Sequence, residues 1–157
     1  MGLIDEIRGQ RIFIDTAIFI YFIERDPRYL DTVKPVFVEI DTGKVNAITS
    51  TITLLEVLVL PFRKGNQALV EKYRNLILNS DHLTAYEVFH EVSVLASRLR
   101  AGYSIRTPDA IQMAVGILYG AQAFLTNDAE LKQVKDIKVL IVDDYLVSQP
   151  TAFAKQP

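Results

Sequence analysis

The sequence predicts an α/β fold: a three-layer α/β/α arrangement around a central, mostly parallel sheet of about five short strands. Short strand-like runs alternate with stretches of helical periodicity along the whole chain. The length of 157 residues and the apolar fraction of 50% are typical of one domain with a full core. We therefore expect a single domain over residues 1–148 and a C-terminal tail over residues 149–157.

The predicted strands are short and are bounded by turn or capping residues. RIFI, at residues 11–14, is a continuous apolar run of the kind found in a buried strand, and Asp15-Thr16 ends it. The run that begins at His82 is the weakest and predicts a short edge strand. The five predicted strands are residues 11–14, 45–49, 82–85, 123–125 and 138–142.

The predicted helices have recognisable start and stop signals. Ser50-Thr51 opens an apolar helix that Pro61 should close, and Thr107-Pro108 is an N-cap followed by proline at the first helical position. Pro35 should kink or divide the helix in which it lies. The predicted helices are residues 17–24, 29–40, 52–60, 68–78, 88–99, 107–120 and 127–133.

The composition restricts the available chemistry. The chain has no Cys, which excludes disulfides, thiol nucleophiles and Cys zinc sites, and its two His are too few for a His-built zinc site. The formal charge of −2 argues against broad attraction to nucleic acid. Oxygen ligands, and therefore hard cations, remain as the plausible metal chemistry.

The chain shows no sign of a targeting or membrane-spanning segment. Asp5, Glu6 and Arg8 lie where a signal peptide would need an apolar stretch. The longest apolar run, AIFIYFI at residues 17–23, is far shorter than the roughly 20 residues that cross a bilayer. We expect a soluble cytoplasmic protein with no membrane partner.

Three aspartates lie where ligands bind in parallel sheets, beyond the carboxyl ends of the strands. Asp15 follows the first predicted strand, Asp128 closely follows the fourth, and Asp109 lies in the first turn of a helix. Taken singly, each is more easily explained as a cap or turn residue. Their common context predicts that they converge at one edge of the sheet.

Glu56 interrupts an apolar helix, where a lone buried carboxylate would need a partner. Four carboxylates around one cavity would repel each other, and a divalent cation such as Mg²⁺ or Mn²⁺ would relieve that repulsion. Polar residues beside the acids are candidates to orient them or simply to cap helices. These neighbours are Thr16, Ser50, Thr126 and Asn127. Arginines near Asp109 can meet phosphates or form a solvated face. They are Arg98, Arg100 and Arg106.

Four segments in order resemble the PIN-domain family, especially its small VapC-type toxin ribonucleases. They are IFIDTAIFIYFIE (12–24), ITSTITLLEVL (48–58), IRTPDAIQMA (105–114) and FLTNDAEL (124–131). The resemblance implies a catalytic and metal-binding acidic quartet of Asp15, Glu56, Asp109 and Asp128. It also implies metal-dependent hydrolysis of single-stranded or structured RNA, a homodimer and a protein antitoxin.

Two positions depart from the family pattern. Ala17 stands where many relatives have Asn or Ser, and Leu131 stands where an aromatic residue is frequent. These departures leave the four acids in place. They keep open a second interpretation, a PIN-like module that binds RNA or protein and has little catalytic turnover.

Overall fold

The structure, a computed structural model, describes residues 1–146. Its central sheet has five strands: β1 (Arg11–Ile14), β2 (Asn46–Ser50), β3 (Leu83–Tyr86), β4 (Ala123–Thr126) and β5 (Lys138–Ile141). All four pairings are parallel, and the strand order is β3-β2-β1-β4-β5. The chain leaves β1 toward β2 on one side and returns to place β4 on the other. This reversal puts a crevice at the carboxyl ends of β1 and β4, the usual ligand position in such sheets.

Helices cover both faces of the sheet, as the sequence predicts. They are α1 (Leu3–Ile7), α2 (Thr16–Ile23), α3 (Leu30–Asp41), α4 (Thr51–Arg63), α5 (Gln67–Asn79), α6 (His90–Gly102) and α7 (Thr107–Leu118). Two 3₁₀ helices, Ala129–Gln133 and Val142–Tyr145, precede and follow β5. Among residues 1–146, no helix has both the length and the apolar character needed to cross a bilayer.

Alternating side chains of β1 separate the two halves of the core. Ile12 and Ile14 pack in the cluster formed with α1 to α5, whereas Phe13 packs in the cluster formed with α6 and α7. Phe13 stacks on Phe124 of β4, with ring centroids 4.8 Å apart. α7 packs on this pair at Gly116, where a Cβ would lie at the contact distance of 3.4 Å from the Phe13 Cβ. α7, which carries Asp109 in its first turn, thus packs on the sheet beside β1 and β4.

Several predicted boundaries were wrong. The apolar helix does not close at Pro61 but continues to Arg63, with Pro61 buried inside it. Of the two outcomes predicted for Pro35, a kink or a division, the division does not occur, because α3 is one helix of 12 residues. The predicted short helix after Asp128 is present as a 3₁₀ helix that ends at Gln133, whereas the five-residue α1 was not predicted. The predicted tail, residues 149–157, lies outside the described residues.

Candidate active site

Asp15 lies at the crevice because β1 ends immediately before it. Its backbone N–H continues the β1–β4 ladder by donating to the Leu125 carbonyl at 3.0 Å. Its side chain then caps α2, with Oδ1 accepting the Thr16 N–H at 2.8 Å. Oδ2 accepts the Thr126 hydroxyl from the end of β4 at 2.6 Å. The carboxylate is thus anchored to both strands that border the crevice.

The surroundings of Asp15 oppose its charge. The residue is only 9% exposed, and burial raises the pKa of its carboxyl above the usual range. Hydrogen bonds from Thr126 and Thr16 lower that pKa, while the negative charge of Asp109 raises it. A nearby cation would favour the ionised form and offset this cost.

Thr126 also connects Asp15 with the fourth acid. The hydroxyl oxygen of Thr126 accepts the Asp128 N–H at 3.2 Å. The Asp128 side chain caps the 3₁₀ helix, because its Oδ1 accepts the Glu130 N–H at 3.0 Å. One buried threonine therefore positions two of the candidate acids.

Asp109 lies in the first turn of α7 and pairs with Arg106, whose Nε is 3.2 Å from Asp109 Oδ2. Burial raises the pKa of the Asp109 carboxyl; the guanidinium of Arg106 opposes this rise, and the charge of Asp128 adds to it. Arg106 is 77% exposed, so the ion pair lies at the open side of the site. The Asp109 side chain itself is only 13% exposed, so the pair joins a largely covered carboxylate to a guanidinium in solvent.

Glu56 corrects one expectation, because it is exposed rather than buried. The face of α4 that carries it also leaves apolar side chains in solvent, with Leu55 60% and Phe62 59% exposed. Glu56 nevertheless joins the site, since its Oε1 accepts the Thr16 hydroxyl at 2.8 Å. Its presence in an apolar helix therefore reflects a position at the rim of the site, not a buried charge.

The four predicted acids line one open cleft of about 290 Å³. Arg106 lines it with them, and so do the neighbours Thr16, Thr126 and Asn127. Asn127 also braces the rim, donating to the Tyr21 hydroxyl at 3.0 Å and accepting the Asp143 N–H at 2.9 Å. The four acids are far apart in the sequence, and the folding of the chain around the sheet brings them together.

The other predicted neighbours do not line the cleft. Ser50 is fully buried and caps α4 by accepting the Ile52 N–H at 3.1 Å. The Arg100 guanidinium donates to the Ile105 carbonyl at 3.1 Å and to the Thr107 hydroxyl at 2.9 Å. Arg98 is exposed on α6. Of the three predicted arginines, Arg106 is the one beside the acids.

The donor chemistry of the cleft fits a hard divalent cation, since all the acidic donors are oxygens. Within residues 1–146, no three Asp, Glu or His side chains are close enough as they stand to form a metal site. Hydrogen bonds within residues 1–146 engage Asp128 Oδ1 and Glu56 Oε1. The second oxygen of each carboxylate, Asp128 Oδ2 and Glu56 Oε2, can therefore serve as a metal ligand. These acids are only partly buried or exposed, so they can turn toward a cation.

Sequence reasoning missed Gln112, one turn after Asp109 on α7. It is 1% exposed and donates to Asp15 Oδ1 at 3.4 Å and to the Thr53 hydroxyl at 2.6 Å. A signal was available: an amide within an otherwise apolar buried stretch, three residues after a candidate acid, lies on the same helix face.

The chain is similar to known proteins both in sequence and in structure. A sequence model of the PIN domain matches residues 12–137. No curated protein matches the sequence. VapBC2 from Rickettsia felis, solved with a promoter DNA fragment, is similar in structure: TM-score 0.67, 16% identity, 83% of this chain and 98% of that chain.

Two further solved structures share the fold. A toxin–antitoxin complex from Klebsiella pneumoniae has a TM-score of 0.64 at 17% identity, over 83% of this chain and 97% of that chain. VapC20 from Mycobacterium tuberculosis, described as a toxin that cleaves the sarcin–ricin loop, has a TM-score of 0.63 at 19% identity, over 78% and 93%. The family match covers most of the chain, and the central parallel sheet flanked by helices agrees with it, so the chain belongs to the PIN domain family.

Proposed function

We propose that this chain is a divalent-metal-dependent endoribonuclease that hydrolyses phosphodiester bonds in single-stranded or structured RNA, and that it is the toxin of a toxin–antitoxin pair. The observation that carries the proposal is the convergence of four carboxylates from separate elements on one open cleft. They are Asp15, Glu56, Asp109 and Asp128. Membership of the PIN domain family supports the same chemistry.

Each acid has a distinct part in the proposed site. Asp15, Asp109 and Asp128 would hold Mg²⁺ or Mn²⁺, and Glu56 would contact the ion or a water bound to it. A bound divalent cation supplies charge that polarises the phosphate and lowers the pKa of the attacking water. Arg106, at the open side of the cleft, is placed to contact an RNA phosphate once Asp109 is released from it.

Polar residues beside Asp15 hold its carboxylate in place before RNA binds. Thr126 and Thr16 hold both oxygens of Asp15, so its carboxylate does not reorient when RNA enters. Thr16 also donates to Glu56 and thereby links the rigid acid to the exposed one. The protein thus supplies fixed oxygen donors on the inner side of the cleft and adjustable ones on the outer side.

The proposed activity can be tested with end-labelled RNA incubated with Mg²⁺ or Mn²⁺, with and without EDTA. We expect cleavage that requires the metal and is lost in Asp15→Asn. Asp31→Asn is the matched control, because Asp31 is an exposed acid on α3 and does not line the cleft. Cleavage that survives EDTA, or that persists in Asp15→Asn, would overturn the metal mechanism.

A second candidate function is a PIN-like module that binds RNA or protein with little turnover. It is favoured by the absence, within residues 1–146, of three acids placed closely enough to hold a cation. RNA binding by wild type without cleavage in either metal would select this function. Robust metal-dependent cleavage by purified protein would exclude it.

The proposed partners are RNA, a protein antitoxin and a second copy of the chain. Similar structures include toxin–antitoxin complexes, and α4, which carries Glu56, has exposed apolar residues that a partner can cover. These residues are Leu55, Val59 and Phe62. Co-purification with the product of a neighbouring small gene tests the antitoxin, and light scattering of the isolated chain tests the dimer.

A further inference from the structure

Gln112 is an unusual residue in its environment. It is 1% exposed, and the next three residues of α7 are the buried apolar Met113, Ala114 and Val115. Burying an amide is costly unless its donors and acceptor are satisfied. The hydrogen-bond partners of the Gln112 amide therefore indicate which side chains it positions.

Ser50 determines which way the Gln112 amide faces. The Ser50 oxygen accepts the Ile52 N–H at the start of α4, and its hydroxyl hydrogen is donated to Gln112 Oε1. Because the amide oxygen is engaged there, the NH₂ group faces the opposite side. A helix cap thus orients the two hydrogens of Gln112 toward the acids.

Those hydrogens reach three acceptors. Nε2 is 2.6 Å from the Thr53 Oγ1, 3.4 Å from Asp15 Oδ1 and 3.4 Å from Thr16 Oγ1. Since Thr16 Oγ1 accepts from Gln112, its own hydrogen is available for Glu56, to which it donates at 2.8 Å. Gln112 therefore contacts Asp15 directly and Glu56 through one hydroxyl.

We propose that Gln112 is a positioning residue that holds Asp15, and through Thr16 also Glu56, in the orientation needed for cation binding in the cleft. This inference rests on the proposed metal-dependent function. It adds a buried hydrogen-bond chain, from the cap of α4 through α7 to the end of β1, that fixes two acids from one amide. Removing the amide should loosen both acids without altering the cleft's charge.

The first test uses metal-free protein and a double-mutant cycle. The four proteins are wild type, Gln112→Met, Asp15→Asn and the double variant, unfolded with urea in EDTA. Methionine keeps the unbranched shape of glutamine and removes its hydrogen bonds. We expect the effect of Gln112→Met on the unfolding equilibrium constant to differ at least about threefold between the two Asp15 backgrounds. Additive effects would overturn the proposal.

The second test measures Mn²⁺ affinity by the paramagnetic resonance signal of free Mn²⁺. Gln112→Met should weaken binding by about tenfold or more, the effect typical of residues that orient metal ligands. In the Asp15→Asn background the same substitution should weaken Mn²⁺ binding by a clearly smaller factor, since Glu56, reached through Thr16, is then the acid that Gln112 still positions. Gln112→Asn, which is too short to span Ser50 and Asp15, provides a second variant if Gln112→Met does not fold.

Met113→Ala is the matched control. Met113 is the next residue on α7, is fully buried and lies in the core cluster of α6 and α7. Its truncation should destabilise the fold while leaving Mn²⁺ affinity unchanged. If Met113→Ala weakens Mn²⁺ binding as much as Gln112→Met does, then Gln112 is only structural. If wild type binds no Mn²⁺, the proposed function fails, while the urea cycle alone still decides whether Gln112 holds Asp15.

Discussion

A hydrogen bond between Thr126 and Asp15 joins the neighbouring strands β4 and β1 at the site. The Thr126 hydroxyl donates to Asp15 Oδ2 at 2.6 Å across a sequence separation of 111 residues. The same hydroxyl oxygen accepts the Asp128 N–H at 3.2 Å. The side chain that connects β4 to β1 thus also sets the position of a third residue. Geometry of this kind favours a site built on rigid strand ends rather than on loops.

Thr126→Val removes this connection at nearly constant volume. We expect a loss of about 1–3 kcal/mol in the free energy of unfolding, because the Asp128 N–H and one oxygen of a buried carboxylate lose their partner. The pKa of Asp15 should rise further, since the Thr126 hydrogen bond lowers it. Urea denaturation and Mn²⁺ titration measure the two effects. Thr126→Ser should retain most of both properties, and a fully stable Val variant would contradict the interpretation.

Asp15→Asn should make the stability of the metal-free protein less dependent on pH. A carboxyl whose pKa is raised by folding binds more protons in the folded than in the unfolded state, so stability falls as pH rises above its usual pKa of 3.8. Asn carries no charge and avoids this loss. The difference in stability between the two proteins should therefore shift in favour of Asp15→Asn as pH rises above 3.8 and shift back as pH falls toward 3.8. The pKa of Asp109 is also raised, so Asp109 makes stability fall with rising pH in both wild type and Asp15→Asn.

Thermal unfolding in EDTA over a series of pH values measures this prediction. Asp31→Asn, at an exposed position, should show no comparable dependence. Added Mn²⁺ should raise the melting temperature of wild type more than that of Asp15→Asn, because a ligand stabilises the state that binds it in proportion to its affinity. A difference between Asp15→Asn and wild type that is the same at every pH would contradict the assigned cause.

Arg106→Gln should strengthen metal binding and weaken RNA binding. The guanidinium is paired with Asp109 and competes with a divalent cation for it, so its loss should raise Mn²⁺ affinity by about two- to fivefold. RNA binding in EDTA should weaken, and the slope of log affinity against log salt should fall by about one. Arg74→Gln is the control, because Arg74 forms a similar exposed pair with Glu71 on α5. Unchanged salt dependence would remove Arg106 from the RNA contact.

Glu56→Gln should be a milder change than Asp15→Asn. Glu56 is exposed and glutamine can still accept the Thr16 hydroxyl, so the free energy of unfolding should change by no more than about 0.5 kcal/mol. Mn²⁺ affinity should fall, but less than in Asp15→Asn. Glu71→Gln, at an exposed position of α5, serves as the reference. An equal loss of affinity in the two cleft variants would place Glu56 among the direct ligands.

The sequence was informative where local physics acts alone. Capping residues after the strands indicated Asp15 and Asp128, and short apolar runs placed the ends of the five strands to within one residue. Proline was a weaker guide. Pro61 should have ended α4, yet its ring is buried against the core and the helix continues for two residues beyond it. Tertiary packing overrode the local preference.

By itself, the sequence determined which side chains can do chemistry, because an acidic chain without Cys and with two His has carboxylates as its main reactive groups. It also determined that three of them lie at element ends. Only the tertiary structure decided that they meet, since the order β3-β2-β1-β4-β5 places the ends of β1 and β4 side by side. It likewise decided that Glu56 is exposed and that Gln112 contacts Asp15. Burial and long-range contacts depend on how helices pack across the sheet, which no local pattern specifies.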